Sequence, residues 1–394
     1  MSCRRFERFK WLGLILAALF VIETIAPGIS YAAGEHLSEK DMAKTFVDLD
    51  TKKILFLLIL GFLGGLISGF IGSGGAFVLT PGMMSIGAPA AIAVATNMCH
   101  KFPKALVGAY KRYKYGQVDI KLGLINGVSA CVGVQIGIEI QKVIFDTWGA
   151  AGSNLYVSVV FVSILSVLGL YILSDARKSM SGKVDENKTS SLAERISKLN
   201  IPPMIYFKTV NKRISLWVTV PIGFGTGMLA ATIAVGGFIG VPGMIYVMGV
   251  PAIMASATEL VIAFTMGLSG SLTWALGGFI DIRMVLILLS ASLIGVQLGA
   301  VGTTYVKEYM IKLVMSSIMI IVAVSRGFAI PGYLKELGLM QLTQSTAKIL
   351  GQISFSLMCF ALGTAGIIIL VNMFKAKRQL KLEAKTGKQQ ALQH

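Results

Sequence analysis

Glu259, His100 and Lys101 are ionisable side chains placed inside long apolar runs, where each could hold an anion or move a proton. Charge at membrane depth is expensive and marks function by default. Glu259 lies eight residues into a run that begins at Pro251, about 12 Å deep at 1.5 Å of rise per residue. Thr96, Asn97 and Thr258 add neutral donors and acceptors beside these groups. Two double glycines, Gly74-Gly75 and Gly236-Gly237, each precede a short apolar piece, 76–87 and 238–250. A helix that restarts at such a break leaves its first N–H groups free and its positive end exposed. Two of them converging would bind an anion without a buried lysine.

From this pattern Gly74, Gly75, Gly236 and Gly237 are expected to line a substrate site with Thr96, Asn97 and Thr258. Glu259 is expected to carry a coupling proton, and His100 and Lys101 to form a cationic path from the cytoplasm. Competing structural readings are tight helix packing for the glycines and hydrogen bonding between helices for the threonines, Asn97 and Glu259. Lys104, one turn further on, reads as a lysine snorkelling to the membrane edge. No catalytic residue, metal site or cofactor is expected. His36, His100 and His394 are too scattered for a cluster, and the four cysteines form no CxxC pair. A hydrolase built on Ser73 and His100 finds no support, because their counterparts in the second half are Val235 and Ile262.

Composition dictates the elements that must position these groups. The 394 residues are 55% apolar and only 14% charged, against about 25% charged in a soluble domain. This is an all-α polytopic membrane protein. The net charge of +17 does not imply nucleic acid, because 25 of the 36 Lys and Arg fall in segments read as cytoplasmic. That is the positive-inside bias.

Residues 1–33 read as a signal peptide or first transmembrane helix, and 34–52 as an extracytoplasmic linker. Spans are expected at 53–72, 88–109, 118–142, 151–174, 214–235, 251–279, 282–306, 309–328 and 347–374. They group into transmembrane repeat 1 at 53–174, a cytoplasmic loop at 175–213 carrying a short amphipathic helix, and repeat 2 at 214–328. A loop and last helix follow at 329–374, then a basic cytoplasmic tail at 375–394 that reads as flexible.

The two repeats match at an offset of 162 residues. Gly61 pairs with Gly223, Gly65 with Gly227, Gly75 with Gly237, Pro89 with Pro251, Thr96 with Thr258 and Asn97 with Glu259. "GVQIG" at 133–137 meets "GVQLG" at 295–299. Asp119 and Asp281 read as caps at equivalent helix starts. An odd number of crossings per repeat makes the copies inverted in topology, with broken, re-entrant half-helices meeting near mid-membrane. That is a transporter pattern.

The duplicated run Gly-x-Gly-Gly, Pro, Gly-x-Pro and Ala-x-Ala-Thr over roughly 53–328 resembles the TauE/SafE sulfite-exporter family. The resemblance implies a permease for sulfite, organosulfonates or related small anions, driven by protons or membrane potential. No enzyme is expected, and the chain is expected in the cell inner membrane, with the charge distribution placing the C-terminus in the cytoplasm. Its partners are then a small sulfur oxyanion or sulfonate and the lipid bilayer, with no nucleic acid; a homo-oligomer stays open. A carboxylate or sulfate permease of the same fold, or an anion channel, stands as the alternative. The charged "HKFPK" at 100–104 departs from the family, which is apolar or hydroxylic there.

Overall fold

The computed structural model describes residues 46–72, 75–181, 191–198, 201–234, 236–306 and 308–391. The leader expected at 1–33, most of the 34–52 linker and Gly74 lie outside the described residues.

Helix α1, Thr51–Ile71, starts on Asp50, whose side chain accepts from the Lys53 N–H at 2.9 Å. It stops at Gly72, whose φ of 106° and ψ of −138° suit only glycine. Half-helix α2, Ala76–Ser85, then folds back along α1. Gly75 packs on the Gly64 carbonyl, Gly64 on Leu79, and Gly82 on Leu60.

Long helices follow: α3, Ala90–Lys114, and α4, Ile120–Met180. The two spans expected at 118–142 and 151–174 are two helices within α4 that meet at Gly149, where φ of 64° and ψ of −163° break the helix, and Gln141 Nε2 donates across the break to Ser153 Oγ at 2.6 Å. The expected amphipathic helix is α5, Ser191–Lys198. The loop also holds an antiparallel hairpin, β1 Met204–Phe207 with β2 Lys212–Ser215, in register Tyr206 to Arg213. The hairpin was not expected, although Phe207 and Ile214 point inward and are buried.

The second half repeats the plan. Helix α6, Leu216–Ile233, ends at Ala234, which takes the left-handed conformation at φ 62°. Half-helix α7, Gly237–Pro242, continues as a π-helical turn, Gly243–Val247. Then come α8, Ala252–Leu276, α9, Ile282–Gly302, α10, Glu308–Glu336, and α11, Gln344–Ala391. The basic tail expected to be flexible is instead helical to Ala391, continuing α11. Its Lys, Gln, Leu and Ala residues are good helix formers, and no proline or helix-ending cap interrupts them.

Seven helices are long and apolar enough to cross a membrane among the described residues. Helix α3 is not one of them, because charged side chains dilute its apolar character. Outward faces carry large apolar side chains such as Leu170, Trp217 and Leu286, as a lipid-facing surface requires.

The 162-residue offset recurs in the packing. Gly61 and Gly65 of α1 lie on the backbone of Leu288 and Ser292 in α9. Their counterparts Gly223 and Gly227 of α6 lie on Asn126 and Ala130 in α4. Gly295 meets Phe62 and Leu66, while Gly133 meets Phe224 and Met228. Every contact between the halves has its partner-exchanged twin in this set. Backbone-to-backbone approach needs glycine on one side, which is why these glycines recur four residues apart.

Candidate functional site

Asp119 caps α4 by accepting from the Leu122 N–H at 3.0 Å, and Asp281 caps α9 by accepting from Arg283 and Met284. Both caps appear as the sequence suggests. Each capping residue also joins the halves. The Asp119 N–H donates to Thr258 Oγ1 at 3.1 Å, and the Asp281 N–H donates to Thr96 Oγ1 at 3.1 Å. Thr96 and Thr258 therefore use their hydroxyls to hold the start of the opposite copy's helix.

One residue on, the side chains turn towards the half-helices. Asn97 Nδ2 donates to the Ala76 carbonyl at 2.7 Å and to Thr80 Oγ1 at 2.8 Å, both in the first turns of α2. Glu259, at the equivalent place in α8, lies against Gly240 of α7, where an added Cβ would strike the carboxylate. Both are fully buried. Gly75 and Gly236 precede the half-helices as their N-terminal residues without a side-chain cap, and Gly237 is the first residue of α7. Gly75 packs on Gly64 and Ser68, and Gly236 on Thr226 and Ala230. Close approach to the preceding helix thus demands these glycines whatever else they do.

Down the same side of α3 come three basic residues. His100 Nε2 lies 2.6 Å from Ser292 Oγ in α9. Lys101 feels the Glu259 carboxylate of α8, and Lys104 feels Lys101. Lys101 is 1% exposed and Lys104 0%. The reading of Lys104 as a snorkelling lysine is corrected here: its ammonium is buried in protein, one turn below Lys101, and does not reach a surface. Neither Nζ has a hydrogen-bond partner, and Ser68 Oγ, Asn97 Oδ1 and His100 Nδ1 are likewise unpartnered. Burying an ammonium costs several kcal/mol unless a partner compensates. Two on one helix turn make a pocket of positive charge that an anion would neutralise.

Of the residues expected at the site, the structure brings Lys101 near Glu259 of α8, while Asn97 faces α2, Glu259 lies against α7 and His100 faces Ser292 of α9. Sequence reasoning took Lys104 for a snorkelling lysine and missed Ser68 and Ser292. Lys104 follows Lys101 by three and Asn97 by seven, a same-face spacing that could have found it.

Arg112 closes the lower end of α3. Its guanidinium donates to Gln117 Oε1 at 2.8 Å, Ser256 Oγ at 2.9 Å, the Ile253 carbonyl at 2.7 Å and the Phe70 carbonyl at 3.5 Å. It ties the end of α1 to the start of α8 and is fully paid in acceptors. Among the described residues no group of three or more His, Cys, Asp or Glu could hold a metal.

A family model described as "Sulfite exporter TauE/SafE" matches residues 57–326. The chain is similar to the probable membrane transporter protein YdhB of Bacillus subtilis (strain 168), at 24% identity over 264 residues, covering 66% of this chain and 94% of that one. It is also similar to the probable membrane transporter protein YunE of the same organism, at 23% over 277 residues, 68% of this chain and 95% of that one. No solved structure matches.

Proposed function

Because the chain belongs to the sulfite exporter TauE/SafE family, one of membrane transporters, we propose that it is a secondary permease moving a small sulfur oxyanion or sulfonate across the inner membrane. The observation that carries this reading is the pair of fully buried ammonium groups of Lys101 and Lys104 without hydrogen-bond partners. An arriving anion would supply the compensation they lack, at a charge-assisted strength of about 1.5–3 kcal/mol per hydrogen bond.

The substrate site extends from these lysines to the starts of α2 and α7, with Gly74, Gly75, Gly236 and Gly237 admitting the anion to backbone N–H groups. Asn97 orients the first turn of α2. Thr96 and Thr258 keep the two copies in register around the site. Glu259 takes the coupling proton: ionised, it competes with the anion for Lys101, and protonated, it releases that lysine to the substrate. His100 and Lys104 line the way from the cytoplasm.

Helix directions support two inverted copies. The ladder Gly61–Leu288, Gly65–Ser292 and Gly69–Val296 makes α1 and α9 parallel, and Gly223–Asn126 with Gly227–Ala130 does the same for α6 and α4. Met98 at Gly270 and Phe102 at Gly267 make α3 and α8 antiparallel. Since α8 turns back into α9, and α3 into α4, α1 and its equivalent α6 run in opposite senses.

The test is flux in proteoliposomes loaded in turn with sulfite, sulfoacetate, sulfate or lactate, with and without a pH gradient. Sulfite or sulfonate flux that follows the gradient in wild type but not in Glu259→Gln is expected. Gradient-independent flux in both proteins would remove Glu259 from the coupling role. Absence of flux for every sulfur anion would overturn the substrate assignment.

A further inference from the structure

Among the described residues Arg326, in α10, is the other fully buried arginine, at 1% exposure. Its setting differs from that of Arg112. Nη2 donates to Ser354 Oγ of α11 at 2.9 Å and to Ser85 Oγ, the last residue of half-helix α2, at 3.3 Å. Ser325 Oγ donates to the Ser354 carbonyl at 2.6 Å, and the Tyr333 hydroxyl lies within hydrogen-bonding reach of the guanidinium. Nε and Nη1 have no hydrogen-bond partner. No carboxylate forms an ion pair with Arg326 among the described residues. Arg112 spends its guanidinium on four acceptors; Arg326 keeps donors unspent in a ring of hydroxyls. A guanidinium buried this way stays charged, so it needs either an anion or a strong dipole.

We infer that Arg326, with Ser85, Ser354 and Tyr333, forms a second oxyanion-binding site between the end of α2, α10 and α11, separate from the lysine face of α3. The ligand is an oxyanion whose oxygens accept from Nε and Nη1 and from the Ser354 hydroxyl, while the Ser85 hydroxyl donates to the Pro81 carbonyl at 2.8 Å and serves Arg326 as an acceptor. Two sources share that chemistry: a free sulfur oxyanion and a phospholipid phosphate. This inference stands on its own observation and needs no assumption about transport. The rival role for Arg326 is a countercharge to the negative end of α2.

The experiment is thermal unfolding of the purified full chain in detergent, titrated with sodium sulfate against sodium chloride at matched ionic strength. The central site is first silenced with Lys101→Gln/Lys104→Gln. Saturable sulfate-dependent stabilisation should remain in that background. Adding Arg326→Gln should raise the half-saturating sulfate concentration by at least about tenfold, the equivalent of losing one charge-assisted contact. Arg326→Lys and Ser354→Ala, which disturb packing less, should give smaller shifts in the same direction. In parallel, lipid-free detergent is compared with the same detergent supplemented with phosphatidylglycerol or phosphatidylcholine, both of which carry a phosphate. Stabilisation by added phospholipid, lost in Arg326→Gln, would identify a lipid phosphate as the occupant. If Arg326→Gln lowers Tm equally at every sulfate concentration and with or without added phospholipid, Arg326 is only a countercharge and the site is overturned.

Discussion

Lys101 and Lys104 decide the chemistry at the scale of single residues. Two like charges one turn apart repel each other, and burial withdraws the water that would screen them. Glu259 relieves Lys101 from the neighbouring helix, which leaves Lys104 as the lysine with most to gain from an anion. Lys104→Gln should therefore reduce anion uptake roughly ten- to a hundredfold in proteoliposomes, since one charge-assisted contact of about 1.5–3 kcal/mol is removed. The same change should leave thermal stability equal or higher, because an uncompensated buried charge disappears. Unchanged uptake would move the substrate away from this face. The equivalence of Glu259 and Asn97 was legible from spacing alone, and both are buried. The burial of Lys104 was not legible, because a lysine directly after Pro103 near the end of an apolar run can point either to the membrane edge or inward. Only the position of α8 and α9 decides between them.

The broken hairpins α1–α2 and α6–α7 form because each long helix meets a residue with positive φ at equivalent positions. Gly72 holds φ 106° and its counterpart Ala234 holds φ 62°. An L-residue in the left-handed region costs about 1–2 kcal/mol. Ala234→Gly should therefore be neutral or stabilising by up to about 1 kcal/mol, read as a higher Tm. Gly72→Ala faces a stricter barrier. Its backbone angles suit only glycine, and a Cβ would sit 2.5 Å from the Ser256 carbonyl of α8. It should lower the yield of folded protein severely. Equal tolerance at the two positions would contradict the geometry of the breaks. Double glycine followed by a half-length apolar piece announced these elements in the sequence. The hairpin at 204–215 went unseen because two four-residue strands give too short an alternation to stand out.

Over the whole molecule, the contacts of Gly61, Gly65, Gly223 and Gly227 tie α1 to α9 and α6 to α4 across the two copies. The orientation that follows is open to cysteine labelling on a background lacking native cysteines. Trp148→Cys and Leu339→Cys, both at exposed sites, should react with a membrane-impermeant maleimide added outside intact cells. Met180→Cys should react only after permeabilisation. Labelling of Met180→Cys from outside would reverse the assigned topology.

By itself the sequence determined the membrane class, the duplication, the two half-helices and the helix caps at Asp119 and Asp281. These depend on hydropathy, backbone freedom and local hydrogen bonding, all written within a few turns of chain. Tertiary structure alone decided that Thr96 and Thr258 hold opposite copies together, that Lys104 turns inward beside Lys101, and that Arg112 is satisfied while Arg326 is not. Those outcomes depend on which surface a side chain meets across 139 to 241 residues of chain, and no local pattern carries that information.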